Sequence, residues 1–239
     1  MDFQDFSITL FFLSFILLIP TANAQQIKQQ FYSDSLSNQM VSELHSEFGK
    51  NKSFDSIYQK QILTTLSYFP ELKNLKIKFR LKETNTPLSS RPSFWSLFKA
   101  SKNRTYLVTI STKTNKKLEP ILFNKLSYNA QIGVLGHELS HISDYYEKGF
   151  FKMCNLLIIE IFSKNQVDRF ESRTDKICIN HGLGYQLLDW STTVRTTLKL
   201  TNWRGADNIQ SKSKKERYLN PESIIEKINT NSLYNLNRQ

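Results

Sequence analysis

Between residues 75 and 82 apolar and basic positions alternate without a break: Leu75, Ile77, Phe79 and Leu81 against Lys76, Lys78, Arg80 and Lys82. A period of two sends the two sets to opposite faces of a pleated strand. The run therefore predicts a half-buried strand whose lysine row lies at a sheet edge or on a solvated sheet surface. The β-branched and aromatic run Arg104–Thr112 predicts a second strand. Between them "TPLSSRPSFWSLF" reads as a Pro/Ser-containing connection with an aromatic cluster.

Elsewhere the spacing is helical. Leu36, Met40, Leu44 and Phe48 recur every four residues up to Gly49, and Phe54, Ile57, Ile62 and Leu66 continue the pattern, so residues 25–67 read as mostly helical. A long helix is predicted over about Tyr128–Lys148, with Ser127 as its N-cap and Gly149 as its stop. Phe150–Phe162 is apolar nearly all round, too short to span a bilayer, and reads as a buried helix or an in-plane membrane contact. A helix over about Gln166–His181 ends at Gly182, and "YQLLDWSTTVRTTLKL" predicts another. After the basic loop "QSKSKKER", Asn220 and Pro221 supply an N-cap and first-turn proline for a short helix through Ile228. The sum is an α+β chain, mostly helical, with a small sheet.

The first 24 residues are set apart by an apolar run followed by Ala22-Asn23-Ala24, which has the layout of a secretory signal cleaved before Gln25. Because residue 25 is Gln and not Cys, a lipid anchor is not indicated. The expectation is a secreted or periplasmic protein with a single domain over 25–239. Removing a leader with two acids and no bases leaves 32 Lys and Arg against 19 Asp and Glu, a charge of +13. That balance suits an anionic envelope or membrane surface, although much of it reflects a lysine-rich composition that keeps a protein soluble. No aromatic-interleaved basic motif points to nucleic acid. Cys154 and Cys178 form no CxxC pair or Cys/His cluster, so one disulfide is conceivable and thiolate metal chemistry is not expected.

Chemistry concentrates in "GVLGHELSHISDYYEKG", where His137, Glu138 and His141 form HExxH. On a helix the two histidines lie about 40° apart, so both imidazoles can reach one ion, as a tetrahedral zinc site requires. Glu138, turned by about 100°, is placed to act on water beside the metal rather than to ligate it. Ile132, Leu135, Leu139, Ile142 and Tyr146 form a stripe opposite His137, which would pack into the core while the histidines line a cleft. Gly133 and Gly136 cost helix propensity, which makes sense if another element packs closely there. Glu171 is the candidate third ligand. Asp175 lies four residues on, so both carboxylates share a helix face, where a metal and the N–H of a bound imidazole would relieve their repulsion.

"HELSH" followed by "ESRTD" resembles the gluzincin metallopeptidases, with HExxH on one helix and the Glu of ExxxD on a later one. "FESRTD" is particularly similar to the corresponding helix of the membrane-linked prenyl-protein peptidases and their soluble relatives, and the likeness covers about Arg104–Tyr185. The resemblance implies a zincin-like fold, one Zn²⁺ held by His137, His141 and Glu171, and Glu138 as catalytic base. It also implies that Asp175 orients a ligand histidine, and that strand 104–112 borders the cleft and pairs with an extended peptide or protein substrate. The expected activity is zinc-dependent endopeptidase hydrolysis. The alternatives are a non-catalytic, zinc-stabilised envelope or membrane-surface binding protein and hydrolysis of a non-peptide envelope substrate. For the oxyanion donor, Tyr145, Tyr185, His181 and Arg195 are all open, Asp144 is either a second-sphere or a solvated acid, and His45 reads as ordinary.

Overall fold

The computed structural model describes residues 27–149, 152, 153, 155, 163–206 and 215–235. The leader, most of the apolar segment 150–162 with Cys154, and most of the basic loop lie outside these residues.

The strand read from strict alternation forms as Lys76–Lys82 (β2), with Ile77 and Phe79 buried and Lys76, Lys78 and Lys82 exposed. It is not an edge. The sheet order is β1-β2-β4-β3, where β1 is the two-residue strand Lys52–Ser53, β3 is Leu88–Pro92 and β4 is Thr105–Ser111. β2 runs parallel to β1 and β4, and β3 returns antiparallel to β4. The lysine row therefore lies on a solvated sheet face.

Where the sequence predicts a connection, residues Leu88–Pro92 form the edge strand β3. An edge strand bonds through one side only. Ser93 N donates to the Thr105 carbonyl and Ser111 N to the Pro87 carbonyl, so the odd-numbered residues face β4. Leu88, Ser90 and Pro92 turn their backbone groups away from it, and Pro92 is tolerated because its missing N–H would have pointed to the open edge.

The helices are Asn38–Phe48 (α1), Gln59–Leu66 (α2), Tyr128–Tyr146 (α3), Lys164–Cys178 (α4), Gly184–Leu198 (α5) and Pro221–Thr230 (α6). Residues 27–37 are irregular, not helical, and Phe31 N is held by Asn129 Oδ1 at 3.0 Å. α3 begins where expected, its Ala130 N–H donating to Ser127 Oγ at 3.0 Å. It stops at Tyr146, one turn short of Gly149. α4 is continued by a single π turn over Ile179–Leu183, where Gly182 takes a φ of 86° and swings the chain into α5. Asn220 sits at the N-terminus of α6, but its side-chain oxygen accepts from Arg195 (2.7 and 3.1 Å) instead of capping the helix.

α3 is the spine of the molecule, and its positions from Asn129 to Tyr145 are all buried. The stripe opposite the histidines packs into one continuous core with the inner sheet face and with α2, α5 and α6. Gly133 and Gly136 are required by close approach, as their helix cost suggested. A Cβ on Gly133 would stand 2.1 Å from the Gln186 carbonyl oxygen, and one on Gly136 would meet Leu183 Cδ1 at 2.7 Å and Cys178 Sγ at 2.9 Å. A larger residue at 133 would push α5 away from α3, and one at 136 would displace the Leu183 and Cys178 side chains where α4 turns into α5. Cys178 is buried with its thiol free.

Candidate metal centre

α3 and α4 bring three acceptor atoms together. His137 Nε2 and His141 Nε2 are 3.1 Å apart, and Glu171 Oε2 is 3.2 Å from each. The far nitrogens fix what the near ones can do. His137 Nδ1 lies 2.8 Å from Asp175 Oδ1, and that carboxylate is held by the Leu219 N–H on Oδ2 at 2.7 Å. Thr174 gives its hydroxyl proton to the Phe170 carbonyl (3.0 Å) and so accepts from His141 Nδ1 at 3.2 Å. With an ion bound, each ring would keep its Nδ1 proton directed outward and turn an Nε2 lone pair inward.

Three electron-rich atoms converging in a buried place repel unless a cation sits among them. Glu171 Oε2 is buried, and the atoms that face it are the two imidazole Nε2 nitrogens at 3.2 Å. A tetrahedral zinc with bonds of about 2.0–2.1 Å sets its ligand atoms roughly 3.3–3.4 Å apart, close to the edges of this triangle. Among the described residues His137, His141 and Glu171 are a group that could hold a metal ion, and the residue chemistry fits. The i, i+4 spacing of Glu171 and Asp175 places both carboxylates on His137, one at each ring nitrogen.

Behind this triangle a second buried network fixes the chain that closes the site. Arg204 Nη2 donates to both Asp168 oxygens at 2.9 Å, and Arg217 Nε donates to Oδ1 at 2.9 Å. Burial opposes ionisation of Asp168, but the two guanidiniums outweigh it and hold its carboxyl below the usual range. These contacts, with the Leu219–Asp175 bond, pin residues 217–219 across α4. Tyr218 is thereby set with its ring 5.4 Å from that of His137 and 5.9 Å from that of Trp190. Burial first, then the charges of Glu171 and Glu138, push its phenol well above the ordinary tyrosine range, so it remains a neutral hydrogen-bond donor.

A cleft of about 580 Å³ opens over the triangle, lined by Leu88, Ser89 and Ser90 of β3, by Glu138, Tyr145 and Glu171, and by Arg217 and Tyr218. Next to it a smaller hollow of about 70 Å³ is walled by Ile121, Phe123, Leu126, Val134, Trp190 and Trp203. Glu138 borders both. Ser90 Oγ donates to the Glu138 carbonyl at 2.9 Å, tying the edge strand to the histidine helix. The strand beside the cleft is therefore β3. β4, which the family resemblance placed there, has β2 on one side and β3 on the other, so neither of its edges is open to a substrate.

Of the four oxyanion donors considered, only Tyr145 lines the cleft, stacked 6.0 Å from His141. Tyr185 packs on Tyr234, and Arg195 is spent on Ser191, Asn220 and two carbonyls. His181 bonds Glu71 (3.1 Å), which also accepts from Ser143 at 2.6 Å. Asp144 is neither solvated nor a partner of a ligand histidine: it is buried and paired with Lys148 and Arg173. Sequence reasoning missed Tyr218, because nothing local to "ERYLNP" marks a residue that a distant Asp168 carries to the site. His45 is exposed, with Phe54 at its edge.

No family model, curated protein or solved structure matches the chain.

The electrostatics make metal uptake depend on pH. Burial disfavours the His137 imidazolium, but the Asp175 hydrogen bond and the nearby charge of Glu171 outweigh it, raising its pKa well above that of an ordinary histidine. Without a bound cation His137 therefore holds a proton through neutrality, and a metal must displace it. Metal affinity is expected to weaken about tenfold per pH unit on acidification across the neutral range, one proton being released per ion bound. Titration calorimetry in buffers of different ionisation enthalpy counts that proton. A pH-independent affinity would contradict this coupling.

Proposed function

We propose that the chain is a zinc-dependent endopeptidase of the gluzincin type, with a zincin-like arrangement of helix and edge strand. The observation that carries the reading is the convergence of two imidazole nitrogens and the buried Glu171 oxygen at the floor of a cleft that Glu138 and an open strand edge also border. A zinc ion held by His137, His141 and Glu171 would polarise a carbonyl and acidify a water.

The chain's own residues supply the rest. The Leu88 and Ser90 backbone groups, turned away from β4, offer an extended peptide a strand to pair with. Glu138 takes the proton of the attacking water and passes it to the leaving amine. The Tyr218 phenol, kept protonated by its surroundings, donates to the carbonyl oxygen as charge builds on it. Asp175 holds His137 in the tautomer that ligation needs. Export to the envelope or medium, proposed from the leader, would put this site in contact with extracytoplasmic polypeptides.

The test is to purify the protein, quantify its metal, and incubate it with a mixed peptide library. Stoichiometric zinc, with cleavage that a chelator abolishes and added zinc restores, is the expected result. Zinc without cleavage of any peptide would replace this reading with that of a zinc-stabilised binding protein.

A further inference from the structure

The turn that follows β3 exposes three aromatic side chains: Phe94 is 60 % exposed, Trp95 78 % and Phe98 66 %. Its other residues hold it to the body of the protein. Ser93 N donates to the Thr105 carbonyl at 2.8 Å, and Ser96 is buried with its hydroxyl on the Ser93 and Thr105 carbonyls at 2.7 and 3.0 Å. Leu97 packs against the core. The aromatic rings are thus held outward by a fixed turn, with Phe94 and Trp95 edge to face at 5.2 Å.

The charges around this turn have one sign. From residue 84 to residue 118 the chain carries seven Lys or Arg and no Asp or Glu. Arg91, Lys99 and Lys102 are exposed beside the rings, and the lysine face of β2 continues the basic surface on the same sheet. Centres of protein–protein contacts favour Trp and Arg but are depleted in Lys. Aromatic rings flanked by lysines suit the boundary of a bilayer, where the rings settle at headgroup level and the ammonium groups meet anionic lipid.

We propose that residues 94–98 form a docking tip for an anionic phospholipid surface, with Phe94 and Trp95 entering the interface and Lys99 and Lys102 contacting headgroups. Because the tip continues directly from the cleft-lining strand β3, docking would hold the cleft close to the membrane. The proposal stands whether or not the metal site is catalytic.

Tryptophan emission reads it directly, since Trp190 and Trp203 are buried and Trp95 is not. The full chain is mixed with vesicles of phosphatidylglycerol and phosphatidylcholine, and with vesicles of phosphatidylcholine alone. Cosedimentation with the anionic vesicles and a blue shift of emission are expected. A Phe94→Ser/Trp95→Ser variant and a Lys99→Glu/Lys102→Glu variant should each bind at least about tenfold more weakly. Ile57→Ser, at an exposed site elsewhere (64 %), should bind as the parent does. Equal unfolding temperatures would exclude misfolding of the variants. The proposal is overturned if the serine variant binds like the parent, or if the parent binds without an emission shift, which would indicate diffuse attraction of a basic chain. It is also overturned if the rings drive self-association in the absence of lipid, which would make the partner a second copy.

Discussion

Glu138→Gln is expected to lower kcat/KM for peptide cleavage about 10²- to 10⁴-fold, the range associated with a positioned general base, while zinc content stays equal to that of the parent. The separation of the two effects follows from the geometry. The three converging ligand atoms belong to His137, His141 and Glu171, and Glu138 contributes none of them. Residue 138 is tied to β3 through its backbone carbonyl, which accepts from Ser90 Oγ and which glutamine retains. An amide of the same shape cannot take a proton from water, so binding and fold persist while the chemistry stops. Steady-state kinetics beside metal analysis decides the point. Undiminished cleavage would assign the base elsewhere, and lost zinc would mean that Glu138 supports the metal.

The convergence of His137, His141 and Glu171 was legible in the sequence because two helices encode it locally. HExxH and ExxxD fix which side chains share a face, and a helix converts that spacing into geometry with little freedom. The cost of Gly133 and Gly136 was readable as a sign of close packing, which the structure shows as the Gln186 backbone against Gly133 and the Leu183 and Cys178 side chains against Gly136. The cleft wall was not legible. β3 has the sequence of a loop, "LSSRP", because an edge strand bonds through alternate residues and can carry a proline at the others. The family resemblance assigned the wall to the strand before the histidine helix, β4, which the sheet encloses on both sides. Tyr218 depends on contacts that no window reveals: Arg204 and Arg217 on Asp168, and Leu219 on Asp175, separated by 36 to 49 residues. The fold class, with a small sheet beside a mostly helical body, followed from periodicity alone.

Glu171→Ala is expected to weaken zinc binding by about 10²- to 10³-fold and to abolish cleavage with it. Zinc sites with four protein ligands bind with roughly 10–16 kcal/mol, so one ligand accounts for about 2.5–4 kcal/mol. Two histidines alone would leave the ion held from one helix. The loss should not come from collapse of the fold, because Asp175 keeps its hydrogen bonds to His137 and Leu219, and the Asp168 network holds the chain over α4 independently. Removing Glu171 also removes the buried carboxylate whose charge helps keep a proton on His137. The variant should therefore release less proton when zinc is forced on at high concentration, a change that simple destabilisation would not produce. Competition with a chromogenic chelator measures the affinity, and near-ultraviolet circular dichroism checks that the packing around Tyr218 and Trp190 is intact. Parent-like affinity in Glu171→Ala would remove Glu171 from the ligand set, and the gluzincin reading would fall with it.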